Sequence, residues 1–220
     1  MAKQLDQQRT VGGLGEAAVQ ERVREISARP TAGAGGDHMN VVPTAIPDVK
    51  IIEPRVFGDH RGYFIETWNQ LRFSEHGIDA EFVQDNFSLS KRGTLRGLHY
   101  QIKQSQGKLM RVVRGEVFDV CVDIRQSSST FGQWVGVILS EENHRSLWVP
   151  PGFAHGFFVT SEEAAFEYKC TDFYSKEHER TLLWNDPALG IDWPIPGDLE
   201  PLITEKDREG QVLLKADVFP

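Results

Sequence analysis

Hydrophobic and polar positions alternate in short runs along the chain from Val49 to about Tyr174. β-Branched and aromatic residues dominate these runs, and Gly, Asn, Ser and Pro separate them, as is typical of strands joined by turns. The runs are "GYFIETW", "AEFVQDNFSLS", "TLRGLHYQ", "KLMRVVRG", "EVFDVCVDI", "GQWVGVILS", "SLWVP", "HGFFVTS" and "AAFEYKCTDFY", and only "NQLRFSEHG" looks helical. Many short strands without intervening helices predict an all-β fold, either an antiparallel sandwich, a jelly roll or a small barrel.

The two ends of the chain do not follow this pattern. Residues 1–38 contain a short helical stretch followed by "RPTAGAGGDH", which offers little to pack, so we expect a mobile N-terminal extension or linker there. The folded domain is then expected to span residues 39–220. After Tyr174 the chain becomes irregular, and the proline-rich stretch "WNDPALGIDWPIPGDLEP" is expected to wrap around the β-structure.

Composition and charge narrow the class of protein. The 220 residues are 40% hydrophobic, enough for one core, and no apolar run approaches the length of a membrane helix. The net charge of −8 belongs to residues 39–220, because the first 38 residues balance, and so acidic a domain disfavours nucleic acid and anionic membranes as partners. Two isolated cysteines and the lack of a signal-peptide pattern predict a cytoplasmic protein.

The alternation of side chains along a strand indicates which polar residues can share a cavity. His99 has the same parity as Gln101 in "TLRGLHYQ", and Gln84 and Asn86 form a polar row in "EFVQDNFSLS". Lys108 shares a strand face with Met110 and Val112 in "KLMRVV". Each row can also simply face solvent, and that interpretation stays open for any single row.

A metal site is the first hypothesis for an enzyme built on such a fold, but the residue pattern argues against it. Metal-binding cupins carry an HxH pair on one strand, whereas here His99 is followed by Gln101, and Lys108 comes soon after. A cation beside a divalent metal is electrostatically unfavourable, and His155 alone cannot complete a site that needs three or four ligands.

Histidine, lysine and tyrosine together fit a different chemistry, proton abstraction beside a carbonyl. A neutral imidazole can take the proton, a cation can stabilise the enolate, and a tyrosine hydroxyl can return a proton from the other side. Taken singly, each residue has a simpler explanation, because a strand histidine or a buried tyrosine is more often part of a satisfied core.

Several motifs in sequence resemble those of a known family. From "TAIPDVKIIEPRVFGDHRGYFIETWN" through "FVQDNFSLSKRGTLRGLHYQ", "QGKLMRVVRGEVFDVCVDIRQSSSTFGQW" and "LWVPPGFAHGFFV" to "YKCTDFYS" and "LLWNDPALGIDWP", the chain is similar to the dTDP-4-dehydrorhamnose 3,5-epimerases, which are metal-free cupins. The likeness covers roughly Pro43 to Asp207. It implies a cupin-type double-stranded β-helix (jelly roll) with a few short peripheral helices.

The resemblance also implies the residues of the site. For catalysis, it implies a general base, its carboxylate partner, a cation near the enolate and a proton-donating tyrosine, which are His99, Asp207, Lys108 and Tyr168. For substrate binding, it implies Arg61, Glu66, Gln84, Asn86, Arg96, His155 (held by a Pro/Gly turn) and the second tyrosine, Tyr174. Arg61 and Arg96 would grip the diphosphate.

Strand parity raises a difficulty for one of these residues. Arg96 has the opposite parity to His99, so both can face one ligand only if Gly97 marks a bulge or the strand twists sharply.

The activity implied is the conversion of dTDP-4-dehydro-6-deoxy-D-glucose to dTDP-4-dehydro-L-rhamnose, without cofactor or metal. The resemblance further implies a homodimer that exchanges N-terminal strands. A 3-only or 5-only epimerase of an antibiotic-sugar pathway, a catalytically silent cupin that binds a nucleotide sugar, and a metal-dependent cupin remain as alternatives.

Overall fold

A computed structural model describes residues 39–197 and 199–220, and in it two antiparallel sheets face each other. The six-stranded sheet contains, in spatial order, β1 (Met39–Pro43), β2 (Lys50–Pro54), β10 (Ser146–Val149), β7 (Lys108–Arg114), β12 (Glu163–Cys170) and β5 (Gln84–Lys91). The five-stranded sheet contains β13 (Glu179–Thr181), β6 (Leu95–Gln101), β11 (Phe153–Val159), β8 (Glu116–Asp123) and β9 (Trp134–Ser140). β3 (Val56–Asp59) and β4 (Gly62–Ile65) form a separate hairpin. This arrangement is the jelly roll that the resemblance implies, and one of the three all-β folds that the strand pattern predicts.

The main hydrophobic core lies between the two sheets. Both sheets contribute large apolar side chains to it, among them Met110, Leu147, Phe157 and Phe166. Full burial of a side chain of this size contributes about 1.5–3 kcal/mol. Because this core fills one end of the space between the sheets, the polar residues of the same strands are left at the other end.

Other segments cover part of the outer face of each sheet. The predicted helix forms as α1 (Gln70–Glu75), where the Asn69 side chain accepts the N–H of Arg72, and Phe73 packs with Leu109 and Trp148. The irregular segment after Tyr174 covers the other sheet and includes α2 (Glu205–Arg208) and a 3₁₀ turn (Leu213–Lys215), in line with its predicted wrapping role.

Strand β6 contains a bulge, one of the two possibilities that its sequence left open. His155 of β11 pairs with His99, but Phe157 pairs with Arg96, so β6 has one extra residue at this point. Gly97 lies there with φ +118°, a backbone conformation that residues with a Cβ rarely adopt. The bulge reverses the parity, so that Arg96 and His99 can both point between the sheets.

The sequence-based boundaries differ from the structure at two places. Strand β1 precedes the predicted β-region, since five residues ending in a proline give too little pattern to recognise. Strand β13 lies beyond that region, in the segment expected to be irregular. His155 lies in β11, as the predicted run "HGFFVTS" requires, just after the turn that ends at Gly152. The predicted extension, residues 1–38, lies outside the described residues. In the described part of the chain, no helix has the length and hydropathy to span a membrane.

Candidate active site

Polar side chains from both sheets face one end of the space between them, which is called the cavity here. The five-stranded sheet contributes His99 and His155, which are cross-strand partners on β6 and β11. The six-stranded sheet contributes Lys108 from β7 and Tyr168 from β12. The rings form a continuous series, because His155 stacks on Phe166 at 6.3 Å and Phe166 lies 5.9 Å from Tyr168.

His99 is held by Asp207, a residue of α2. The distance from His99 Nε2 to Asp207 Oδ1 is 2.5 Å, and the Gly97 N–H donates to the other carboxylate oxygen at 3.3 Å. Thr204 caps α2 by accepting the Asp207 N–H, which fixes the helical turn that carries the carboxylate. Since a carboxylate accepts the Nε2 proton, Nδ1 keeps its lone pair and can act as a base.

The charge of Asp207 depends on two opposing effects. Burial at 2% exposure works to raise its pKa, but the hydrogen bonds from His99 and Gly97 lower the pKa below the usual aspartate value. Asp207 is therefore ionised at neutral pH and can stabilise an imidazolium on His99.

A second histidine–carboxylate pair lies beside the first. His155 Nε2 is 3.0 Å from each carboxylate oxygen of Asp119, a β8 residue with 0% exposure. Burial lowers the pKa of His155, with Lys108 and His99 adding to the effect, so its ring is neutral at pH 7. A neutral ring bonded through Nε2–H places a fixed hydrogen-bond acceptor, Nδ1, in the cavity wall.

Lys108 and Tyr168 form the opposite wall of the cavity. The ammonium lies 5.9 Å from the Tyr168 ring centroid and has no ion-pair partner among the described residues. Burial lowers the pKa of Lys108 and raises the pKa of Tyr168 to about 12. The phenol is thus protonated at neutral pH, and the cation lacks a counter-charge in direct contact.

The polar row of β5 continues this wall. Asn86 is the cross-strand partner of Tyr168, and its side-chain amide lies 3.5 Å from Cys170 Sγ. Gln84 donates to Asn86 Oδ1 at 3.1 Å, and its own carbonyl accepts the Tyr174 N–H at 2.8 Å.

Arg96 reaches the same β5 row from the bulge in β6. Its Nε donates to Ser90 Oγ at 3.1 Å. Because Ser90 belongs to the opposite sheet, this bond directs the Arg96 side chain across the space between the sheets despite its parity in the sequence.

Tyr174 lies at the mouth of the cavity, in the loop that follows β12. The strand ends at Cys170, so strand parity does not extend to this tyrosine. Its hydroxyl donates to Glu179 at 3.1 Å, and Lys206 forms an ion pair with the same carboxylate at 2.8 Å. The ring is 53% exposed and is available to stack on a planar ligand.

Two of the predicted binding residues lie away from the cavity of their own chain. Arg61 is at the tip of the β3–β4 hairpin, 78% exposed, and pairs with Asp59 at 2.5 Å. Glu66 pairs with Arg72 of α1, on the outer face of the six-stranded sheet. The fold therefore separates Arg61 and Glu66 from the other predicted site residues.

Three charged residues of the site were not predicted from the sequence. Asp119 gave a signal, because it is a carboxylate in the middle of the apolar run "EVFDVCVDI" and has the same parity as the inward Val117 and Cys121. Glu179 and Lys206 lie in the irregular C-terminal part, where periodicity gives no signal. Within residues 39–197 and 199–220, no group of three or more metal-ligating side chains could hold an ion.

Comparisons with known proteins identify relatives across most of the chain. Residues 43–215 match the family model described as dTDP-4-dehydrorhamnose 3,5-epimerase. A dTDP-4-dehydrorhamnose 3,5-epimerase from Pseudomonas aeruginosa is 60% identical over 183 residues, which cover 83% of this chain and 100% of the relative.

Solved structures give the same result. A dTDP-6-deoxy-D-glucose-3,5-epimerase from Legionella pneumophila, in complex with dTDP-4-keto-L-rhamnose, has a TM-score of 0.79 and 54% identity, covering 82% of this chain and 95% of that one. ChmJ, a 3′-monoepimerase from Streptomyces bikiniensis in complex with dTDP-quinovose, has a TM-score of 0.73 and 34% identity, covering 78% and 87%.

Proposed function

The chain belongs to the dTDP-4-dehydrorhamnose 3,5-epimerase family, and on this premise we propose that His99, Lys108 and Tyr168 carry out its reaction. The protein is a nucleotide-sugar isomerase that converts dTDP-4-dehydro-6-deoxy-D-glucose to dTDP-4-dehydro-L-rhamnose. The reaction inverts C3 and C5, the carbons on either side of the 4-keto group. The observation that carries the assignment is the convergence of a histidine base, an unpaired cation and a protonated phenol on one cavity.

His99 is the general base. Nδ1 takes the proton from the carbon beside the ketone, the C–H electron pair moves into the ring, and negative charge develops on the C4 oxygen. The ionised Asp207, 2.5 Å from Nε2, stabilises the imidazolium that results. General base catalysis of this kind contributes typically 10²–10⁴-fold to the rate.

Lys108 stabilises the enolate. Its ammonium forms no ion pair with the described carboxylates, so it can direct its charge at an oxygen of the substrate. A cation held in a water-poor cavity stabilises developing charge more strongly than it would in water.

Tyr168 is the acid on the opposite face of the sugar. Its O–H bond breaks as a new C–H bond forms on that face, which inverts the carbon and restores the ketone. The phenolate then regains a proton from solvent, and the His99 imidazolium loses one. The pKa of about 12 keeps the hydroxyl protonated before each turnover.

The diphosphate and nucleotide bind around this centre. Arg96, Gln84, Asn86 and His155 line the cavity, and the exposed ring of Tyr174 at its mouth suits stacking on a nucleobase. Arginine matches a diphosphate by bidentate hydrogen bonds, which explains how a chain of net charge −8 can hold an anion.

The protein is proposed to act as a homodimer in which strands near the N-terminal end of the domain are exchanged. β5 is an edge strand of the larger sheet with a free side, and its outward Phe87 and Leu89 are 65% and 59% exposed. The β3–β4 hairpin presents Phe64 at 67% exposure, next to Arg61. A partner that covers these apolar residues would also bring Arg61 and Glu66 to the other chain's cavity.

A cytoplasmic location is proposed on the basis of the two cysteines. Both Cys121 and Cys170 are free and buried in the described fold, which suits a reducing compartment.

The experiment that tests the function is product analysis by NMR with purified protein and dTDP-4-dehydro-6-deoxy-D-glucose. We expect dTDP-4-dehydro-L-rhamnose, with inversion at both carbons and full activity in EDTA. Inversion at a single carbon would indicate the 3-only or 5-only alternative, of which ChmJ is a 34% identical example. Binding of the substrate without turnover would indicate a silent cupin.

A further inference from the structure

Gln101 occupies the position at which metal-binding cupins carry the second histidine of their HxH pair. It lies two residues after His99 on β6 and points to the same side of the sheet. The side chain is 4% exposed, so its amide must find partners inside the protein.

The Gln101 amide bonds to the loop that follows β12. Its Nε2 donates to the Phe173 carbonyl at 3.1 Å and to the Gln104 carbonyl at 2.7 Å. Its Oε1 accepts the Ser175 N–H at 2.7 Å. One side chain thus bonds to the residue before Tyr174 and to the residue after it, and both amide donors and the carbonyl are used.

Other contacts show how little else holds this tyrosine. Its backbone N–H bonds to Gln84 on the opposite sheet, and its hydroxyl bonds to Glu179, whose backbone pairs with Gln101 itself. The rings of Phe173 and Tyr174 are 58% and 53% exposed, so apolar packing does little to fix them. Hydrogen bonds to buried groups therefore determine the position of the Tyr174 ring.

The chemistry of the position requires an amide. A glutamate would turn a second acceptor toward the carbonyls of Phe173 and Gln104, and it would leave both without a donor. A methionine would fill the same space and leave the Ser175 N–H without its acceptor. A buried backbone group without its hydrogen-bond partner is destabilising by about 1–3 kcal/mol. The loop can avoid most of this loss by moving so that water replaces the missing partner.

We propose that Gln101 is a positioning residue of the nucleotide subsite, holding Tyr174 over the cavity mouth by hydrogen bonds on both sides of it. The inference rests on the proposed function, in which Tyr174 stacks on the nucleobase. Gln101 acts through the loop and does not touch the reacting carbons.

The test compares dTDP binding and turnover in Gln101→Met, Gln101→Glu, Tyr174→Ala and the double variant Gln101→Met/Tyr174→Ala. Calorimetric titration with dTDP should give a Kd about tenfold weaker for each Gln101 variant, which corresponds to about 1.4 kcal/mol. KM should rise with the Kd, while kcat should change less than about threefold, because the misplaced group binds without reacting. Gln126→Met, an exposed glutamine elsewhere, is the control for loss of an amide.

The double variant separates positioning from a general structural role. If Gln101 acts through Tyr174, the double variant should bind dTDP no more weakly than Tyr174→Ala alone. Losses of dTDP affinity that add in the double variant would overturn the inference. So would an unchanged Kd, or unfolding, in both Gln101→Met and Gln101→Glu. Wild-type protein that fails to epimerise would instead refute the proposed function, whereas normal turnover with unchanged dTDP binding by the Gln101 variants would refute only this assignment.

Discussion

At the scale of single residues, the cavity combines groups whose charges are set by their surroundings. Asp207 is ionised because of its hydrogen bonds, His155 is neutral because of burial, and Tyr168 is protonated because of burial. Strand parity related residues only within one strand, such as His99 and Gln101, because side chains on a strand alternate whatever the tertiary fold. The resemblance to known epimerases grouped His99, Lys108 and Tyr168 as one site.

Parity could not predict residues that lie outside the strands. Asp207 and Lys206 lie on one helical turn in a segment without periodicity, and Tyr174 lies beyond the end of β12. Their places depend on how the C-terminal segment packs across β6, which no local pattern encodes. The resemblance to known epimerases, not the pattern, supplied Asp207 and Tyr174 as candidates.

Lys108 is expected to raise the activity of the protein and to lower its stability. Its ammonium is partly buried without an ion pair, which is unfavourable for folding. Lys108→Met, which keeps the length and removes the charge, should lower kcat by roughly 10²–10³-fold. The same variant should raise Tm by roughly 2–4 °C, the shift expected for about 1 kcal/mol in a domain of this size. Steady-state kinetics and calorimetry measure the two effects, and a loss of both activity and stability would argue for an ordinary structural lysine.

The pH dependence of the reaction follows from the same residue. Burial lowers the Lys108 pKa below the ordinary value of 10.5, so the ammonium is lost as pH rises through that lowered value. Tyr168 stays protonated in the same range, since its pKa is about 12. We expect kcat/KM to fall on the alkaline side below pH 10.5, and this fall to be absent from the residual activity of Lys108→Met.

The same lowered pKa determines whether the contribution of Lys108 to the free energy of unfolding rises or falls with pH. Between the folded pKa of Lys108 and 10.5, the unfolded chain binds more protons than the native chain, so this group makes the free energy of unfolding rise with pH in that window. Denaturant titrations of wild type and Lys108→Met at several pH values should show this contribution as a difference between them. A wild-type contribution that falls with pH would contradict it.

At the scale of secondary-structure elements, the bulge in β6 is what lets one strand present both Arg96 and His99. The extra residue lies where β6 passes closest to β11, at Gly97 and Gly156. The sequence shows that Arg96 and His99 have opposite parity, so both can face one ligand only if the strand bulges or twists. It could not decide between a bulge and a twist. The register between two strands settles that point, and register is a tertiary property.

Gly97→Ala should damage both the fold and the site. A Cβ at this position would lie 2.6 Å from Gly156 Cα and 2.7 Å from the His155 carbonyl oxygen, on a residue with φ +118°. We expect the free energy of unfolding to fall by about 2 kcal/mol or more, and kcat/KM to fall at least tenfold as His99 moves. Denaturant unfolding and steady-state assays measure these changes.

Gly190→Ala is the matched control for the backbone. Gly190 also has a positive φ, +58°, but a Cβ there would have nothing within 4 Å. It should lose only about 1 kcal/mol and keep full activity. Equal losses in the two variants would show that backbone strain alone, without the close approach of β11, explains the effect.

At the scale of the whole molecule, the single chain leaves two predicted binding residues outside its own cavity. Arg61 lies at the exposed tip of the β3–β4 hairpin, which also carries the exposed Phe64, and Glu66 pairs with Arg72 of α1. The overall fold could be predicted from strand patterning and resemblance. The cavity that Arg61 serves could not be, because in the proposed dimer it would depend on the contact between two chains.

Mixing two defective variants tests whether Arg61 acts across the dimer. In a heterodimer of Arg61→Ala and His99→Ala, one cavity would contain an intact His99 and receive an intact Arg61 from the other chain. Refolding the two together in equal amounts should restore about a quarter of wild-type activity, since half the dimers are mixed and each has one complete site. Activity no higher than the average of the two separate variants would show that Arg61 acts within its own chain, or not at all.

In the proposed mechanism, His99 removes the proton and Tyr168 returns one from the other face. ¹H NMR of dTDP-4-dehydro-6-deoxy-D-glucose in D₂O, with wild type, His99→Asn and Tyr168→Phe, tests it directly. Wild type should exchange H3 and H5 with inversion, His99→Asn should do neither while still binding dTDP, and Tyr168→Phe should exchange protons without inverting the carbons. Continued exchange in His99→Asn, or continued inversion in Tyr168→Phe, would contradict the account.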